Sequence, residues 1–370
     1  MSSNKSIGLW CTPVSGADPI KIEVHFNYWR IQSHSRWWHP ITSRFGDTSG
    51  ADFVEVGVMV EDVQQVDRIH IFIPTKLTSG MIRDCSPHFT KGDIVQGIFN
   101  QPLTVKYDRG PAGPLTLRQG TRIFCRMHNF TMHRDQIIGR ELKVRELGGG
   151  THCTIESDAI AACRAGNRKG RGYFRLRFRI PMKKHQNPFV EDVPVFDRFM
   201  LSGYEHVEYL DFRLNDARTL PLAVEQRIAR DQPANATVID LVAFLTAVPV
   251  SAALSVTHTA FHKMRLLENS IWTAYAEGIP HGMVVYHWKK KATNGKSIED
   301  FSAFVKLQIR LSGAQILLNY LLFALVFGVF GNLVAGWLQP NLGFIGSAIW
   351  GFFAGLLRIL ENFRLVVLTG

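Results

Sequence analysis

The chain has 370 residues, 46% of them hydrophobic and only 20% charged, where a soluble chain usually carries about a quarter. The shortfall is local: from Leu311 to Leu357, a run of 47 residues, there is no Asp, Glu, Lys or Arg, and one bilayer crossing needs about 20 apolar residues. A wholly soluble chain is thereby excluded as the leading reading, and 25 phenylalanines with plentiful Ile, Val and Leu exclude low-complexity disorder.

At the N-terminus no apolar stretch of signal-peptide length occurs, and the five cysteines form no dense framework. The expected compartment is the reducing cytoplasm, with free thiols. From Ile20 to about Leu214 short alternating segments are separated by turns. Lys21 to Tyr28, Phe53 to Val60 and Val66 to Ile73 read as half-buried strands. Further strands are expected at Leu103 to Tyr107, Arg122 to Phe130, Ile137 to Val144, Thr151 to Ser157, Tyr173 to Ile180 and Val207 to Leu214, with a short helix near Asp93 to Asn100. This pattern predicts an antiparallel sandwich or barrel over residues 1–215.

After Asn215 the pattern predicts a mostly helical connector, 216–310. Leu222 to Arg230 holds helix formers, Thr237 to Thr257 is apolar, and Lys263 to Ala276 is amphipathic. Ser297 and Asp300 have capping spacing, so one helix is expected to run from there into the membrane. The uncharged run divides at Gln339-Pro340-Asn341 into two crossings, Ile316 to Trp337 and Leu342 to Leu360. Lys306 and Arg310 precede the pair, Arg358 and Arg364 follow it, and the turn has no charge; both ends are expected in the cytoplasm. Thr237 to Thr257 is a buried or interfacial helix in this scheme, or else a third crossing. The fold class is then an α+β membrane protein, with 311–370 as a transmembrane helical hairpin and short cytoplasmic tail.

The formal net charge is +11, and nine basic residues without an acidic one lie between Ala159 and Val190. On Tyr173 to Ile180 the side chains Arg175, Arg177 and Arg179 share one strand face, and the loop before it carries Arg168, Lys169 and Arg171. Guanidinium forks suit phosphate, so these six residues are the candidate site for a nucleic acid or nucleotide. An anionic lipid surface, or carboxylates of a neighbouring strand, would also satisfy them. In the membrane helices Gly328, Asn332 and Gly336, and Ser347, Gly351 and Gly355, recur at four-residue spacing and form small faces for helix packing or homo-oligomer assembly. Tyr28, Trp29, Arg30, His34, Arg36, Trp37, Trp38 and His39 form an aromatic cluster suited to closing a small core or stacking bases.

Enzyme signatures are incomplete. His258 and His262 lack the intervening Glu of a zinc protease; His206 and Glu208 lack a following P-C-x-x-C; Cys125, His128 and His133 with Cys153 or Cys163 lack a C-x-x-C pair. Glu205, Glu208, Asp211 and Asp216 are expected in salt bridges with Arg213 and Arg218. No catalytic residue, metal or cofactor is therefore assigned.

In plan, a cytoplasmic β-rich region, a basic strand and the hairpin over Leu311 to Leu360, the chain resembles two-transmembrane effector proteins of bacterial anti-phage defence systems, of the retron-associated or cyclic-nucleotide-signalling type. The resemblance implies an inner-membrane effector held inactive by a partner such as a reverse transcriptase with its RNA-DNA hybrid, the arginine strand touching nucleic acid and the hairpin carrying toxicity. The alternatives are a membrane-tethered enzyme acting on a phosphate-bearing substrate and a non-toxic membrane-tethered nucleic-acid-binding adaptor.

Overall fold

In a computed structural model of the chain, the described residues are 5–31, 51–107, 113–164, 170–181, 187–192, 205–233, 236–257, 260–276, 279–280, 282–293, 295–310, 313–338, 354–355 and 358. They belong to two units, Met1–Arg310 and Leu311–Gly370.

Among the described residues, twenty strands build the first unit. In chain order they are β1 (Ser6–Pro13), β2 (Ile20–Trp29), β3 (Phe53–Val60), β4 (Val66–Ile73), β5 (Ile82–Asp84), β6 (Thr104–Tyr107), β7 (Leu115–Gln119), β8 (Arg122–Met127), β9 (Met132–His133), β10 (Gln136–Ile137) and β11 (Leu142–Leu147). Then come β12 (Gly150–Ile155), β13 (Gly172–Arg179), β14 (Val190–Asp192), β15 (Glu205–Leu214), β16 (Thr237–Pro249), β17 (Ala252–Thr257), β18 (Lys263–Leu266), β19 (Met283–Lys291) and β20 (Phe301–Arg310). Four helices accompany them: α1 (Gly92–Phe99), α2 (Ser157–Arg164), α3 (Leu222–Asp231) and the single turn α4 (Asn269–Trp272).

One sheet has the order β11-β12-β4-β1-β15-β20-β17, with β14 on β15; the larger has β18-β19-β16-β2-β3-β13-β8-β7-β6, with β5 on β13. Alternation explains how they pack. Val24, Phe26, Val56, Val58, Phe174 and Leu176 of the larger sheet meet Leu9, Ile71, Phe212 and Val305 of the smaller in one buried core. The opposite face of the larger sheet carries a second core, in which Trp29, Phe53 and Tyr173 lie beneath Phe89, Trp272 and Tyr275. A third, smaller core sets Val224 of α3 on Trp10 and Phe72.

The β-rich expectation thus stands, with corrections. The sheets are mixed, because β1 runs parallel to β15, β16 to β2 and β13 to β8; alternation fixes a strand's faces but not its direction. The stretch 216–310 is not a mostly helical connector: only α3 and α4 are helical there among the described residues, and its strands complete both sheets. Thr237 to Thr257 is neither an interfacial helix nor a crossing. It is β16 in the larger sheet and β17 in the smaller, breaking between Pro249 and Ala252. Lys263 to Ala276 is an edge strand and one helical turn. No helix starts at Ser297, whose hydroxyl instead accepts the Ile239 N–H at 2.9 Å. Beyond it, β20 alternates strictly, burying Phe301, Ala303, Val305, Leu307 and Ile309.

The second unit contains α5 (Gly313–Leu338), the one described helix long and apolar enough to cross a membrane. At about 1.5 Å per residue its 26 residues exceed the roughly 30 Å hydrocarbon thickness. The Gln339-Pro340-Asn341 turn and most of the second expected crossing lie outside the described residues.

Candidate anion-binding groove

Register dictates what the arginine strand can do. On the face of β13 turned away from the main core, Arg177 lies directly opposite Glu55 of β3, and Arg175 opposite Gly57. Arg175 Nη2 meets Glu55 Oε2 at 2.6 Å and Arg177 Nε meets Oε1 at 2.8 Å, while the Tyr275 hydroxyl donates to Oε2 at 2.8 Å. Gly57 permits this packing, since a Cβ there would stand 2.1 Å from the Tyr173 hydroxyl. Arg177 is also sandwiched over Phe53 at 4.5 Å and Tyr275 at 4.8 Å. Burial alone would raise the Glu55 carboxyl, but Arg177 and Arg175 together hold it below its ordinary range.

Arg175 is 0% exposed and Arg177 8%. Neither reaches a phosphate in solvent, and the expected phosphate-binding role of these two is corrected: a carboxylate from the adjoining strand and the rings of Phe53, Tyr275 and, under Arg175, Phe89 already satisfy them. Arg179 is exposed. Arg171 forms ion pairs with Glu61 and Glu23, at 2.7 Å and 3.2 Å, on the rim of the groove described next. Arg168 and Lys169 lie outside the described residues.

The same sheet face continues across β2, β16, β19 and β18, and there it opens. Pairing sets His25 of β2 beside Ala243 of β16 and Ala243 beside Lys289 of β19; Leu241 sits beside Lys291 and Leu245 beside His287. The short side chain of Ala243 between longer neighbours leaves a groove of about 510 Å³. Leu241, Ala243 and Leu245 form its floor, and Lys289 and Lys291, joined by Lys263 and Arg265 of β18, form one wall. Across from them stand Phe124, Arg171 and the C-terminal end of α1 at Phe99, Asn100 and Gln101.

Five cations line the groove, Arg171, Lys263, Arg265, Lys289 and Lys291, against three carboxylates, Glu23, Glu61 and Asp240, and Lys289 acts on Glu23 through space. Arg265 reaches Glu268 at 3.7 Å and Lys290, on the opposite strand face, reaches Asp300 at 3.7 Å. Lys263, Lys289 and Lys291 make no ion pair with a described carboxylate. Their field is visible on the imidazoles: burial, then His262, Lys289, Lys263 and Arg265, push His287 down to about 4. Burial, then Arg175, His287 and Lys289, push His25 down to about 3. Both rings are therefore neutral near pH 7 and present hydrogen-bonding nitrogens without adding charge.

This groove was missed by reading charge per segment. Lys289, Lys290 and Lys291 follow an alternating run, so a strand assignment would have sent Lys289 and Lys291 to one face; Lys263 and Arg265 join them only through pairing of β18 with β19.

The remaining candidates are dispersed. Asp211 pairs with Arg213 at 2.9 Å, and Asp216 with Arg213 and Arg218, each at 3.1 Å; Glu208 instead joins Arg30, at 2.9 Å. Tyr28, Trp29 and Arg30 are buried, whereas His34, Arg36, Trp37, Trp38 and His39 lie outside the described residues, as does His258. Cys125, His128, Cys153 and Cys163 are buried and His133 is exposed; no group of three or more His, Cys, Asp or Glu among the described residues is placed to hold a metal ion. In α5 a Cβ at Gly328 or Gly336 would meet nothing within 4 Å, and Asn332 is exposed. The expected small face is thus open among the described residues. Gly355 is open in the same way, and Ser347 and Gly351 lie outside the described residues. No protein-family model matches the chain, and no curated protein matches it in sequence.

Proposed function

We propose that this chain is a membrane-tethered receptor for a phosphate-bearing anion, with the lysine-walled groove as its ligand site and the apolar C-terminal segment as its bilayer element. The observation that carries the reading is an excess of cations along one groove: Lys263, Lys289 and Lys291, with Arg171 and Arg265, outnumber Glu23, Glu61 and Asp240 beside an apolar floor, and none of the three lysines forms a salt bridge with a described carboxylate. Ammonium groups held together repel, and an anion with several oxygens relieves that repulsion through charge-assisted hydrogen bonds. The tether is supported by Tyr320–Trp337 of α5, with mean hydropathy 1.8 and 0% burial. Apolar side chains left unburied along a whole helix are at home in lipid rather than water.

The fuller version of this reading is the anti-phage effector. In it the protein lies in the bacterial inner membrane with both termini cytoplasmic, a second helix after Leu338 completes the hairpin, and a nucleic-acid or nucleotide partner, such as a reverse transcriptase with its RNA-DNA hybrid, keeps it inactive. Release lets hairpins assemble through Gly328, Asn332 and Gly336 and breach the membrane.

Expression in bacteria separates these levels. The intact chain is expected in the membrane fraction after an alkaline wash, and a chain ending at Arg310 in the soluble fraction; an intact chain washed free overturns the tether. Loss of membrane potential with the intact chain alone supports the effector. Unchanged potential at equal expression of both chains removes it and retains the receptor.

A further inference from the structure

The groove has two unlike halves. The β18 and β19 side is cationic, whereas the opposite side is made by Phe99, Asn100, Gln101 and Phe124, with Arg171 over the Phe124 ring at 5.7 Å and ion-paired to Glu61 and Glu23. Asn100 caps α1 in a left-handed conformation, φ 53°, and its N–H donates to the Gln96 carbonyl at 2.8 Å, fixing the turn that carries Phe99 and Gln101 into the lining. The C-terminal end of a helix holds spare carbonyls and partial negative charge, so it disfavours phosphate and accepts from N–H donors. Arg265 already approaches the Gly97 carbonyl there, at 3.5 Å. Phe99 and Phe124 meet edge to face at 5.4 Å and both remain partly open. A site for bare phosphate has no use for an aromatic and amide half.

Resting on the anion reading above, we propose that the groove binds a nucleotide: its phosphates lie along Lys263, Lys289 and Lys291, and its base lies against Phe99 and Phe124, with its edge toward Asn100, Gln101 and the carbonyls ending α1. Lysines act as point charges for phosphate, aromatic rings accept any base by its flat face, and side-chain amides read base edges. A volume of about 510 Å³ falls within the range of small-ligand sites, roughly 300–1,000 Å³, which favours one nucleotide over a run of nucleic acid. The apolar floor of Leu241, Ala243 and Leu245 then underlies the sugar between the two halves.

The test uses the full chain in detergent micelles and isothermal titration calorimetry with ATP, GTP, CTP and UTP in turn, against inorganic tripolyphosphate. At least one nucleoside triphosphate is expected to bind roughly tenfold or more tightly than tripolyphosphate, given the affinity that base stacking supplies. Phe124→Leu and, separately, the partly exposed Gln101→Ala should erase most of that advantage without changing tripolyphosphate binding. Lys289→Gln with Lys291→Gln should weaken both ligands. If all four triphosphates only match tripolyphosphate, the nucleotide inference falls while the anion reading stands. If neither kind of ligand binds, the anion reading fails and takes the inference with it.

Discussion

Glu55 pairs with two guanidinium groups at once in a place water hardly reaches. Removing one partner of a buried ion pair leaves the other charged and unmatched, which costs about 3–5 kcal/mol. Glu55→Gln is therefore expected to destabilise the β-rich unit by roughly the lower part of that range, since the amide keeps some hydrogen bonds, and a thermal-unfolding midpoint reads it; an unchanged midpoint would mean that the pair is not held as described. That Arg175, Arg177 and Arg179 share a strand face was legible from alternation, but the partner was not, because Glu55 lies 120 residues from Arg175 in the chain. Beneath α3 a second buried set joins Trp10, His70 and His152, with the imidazole nitrogens of His70 and His152 3.1 Å apart and Thr12 Oγ1 2.8 Å from His70 Nε2. Burial holds both imidazoles below their ordinary 6.5; Asp231 pulls both upward, while Arg227 pushes both down, joined by His152 and Arg68 at His70 and by Arg145 at His152. The unfolded chain takes up protons near pH 6.5 that the folded chain refuses. Stability is then complete above that pH and falls as pH drops toward 4, by up to about 1.4 kcal/mol per pH unit for each imidazole. Unfolding midpoints at pH 7.5, 5.5 and 4.5 should decline, and less steeply in His152→Gln; a flat profile would place these rings in contact with solvent.

Single elements show why sequence patterns mislead in one region and not another. β3 and β4 were legible because each alternates and ends at a turn. β16 was not, because a central strand with apolar side chains on both faces has little polar alternation and matches the composition of a short membrane helix; its β-branched residues and the break after Pro249 were the distinguishing marks. β1 has the same ambiguity and was passed over, although it lies in the middle of the smaller sheet. β20 gives the clearest test of strand against helix. Phe304 and Val305 would both join the apolar face of a helix entering the membrane, whereas in the strand they point oppositely, 37% and 0% exposed. Phe304→Lys, placed opposite Asp211, should leave the unfolding midpoint nearly unchanged, and Val305→Lys should abolish folding by burying an unpaired charge. Equal tolerance of both would restore the helical reading of this segment.

Over the whole molecule, average properties do not say where in the fold a charge or an apolar run will lie. The uncharged run from Leu311 marks α5, whereas Arg175 and Arg177, the centre of the densest basic segment, are consumed inside the fold by Glu55. In the proposed reading the charge offered to a ligand is that of Lys263, Lys289 and Lys291, brought to one groove by pairing of strands that read as helix and linker in one dimension. Cysteines follow the same rule of burial: all five thiols are enclosed, with Cys11 and Cys85 pushed up to about 12 by loss of solvent. A thiol reagent at pH 8 is expected to label none of them in the native chain and all five in denaturant. The central claim, that the groove and not the arginine strand receives the anion, is tested by the affinity of the full-length protein for tripolyphosphate in three forms: unaltered, Lys289→Gln with Lys291→Gln, and Arg179→Gln. Loss of charged hydrogen bonds should weaken the double variant roughly tenfold or more and leave Arg179→Gln within about twofold; full affinity in the double variant, or its loss in Arg179→Gln, would contradict the account.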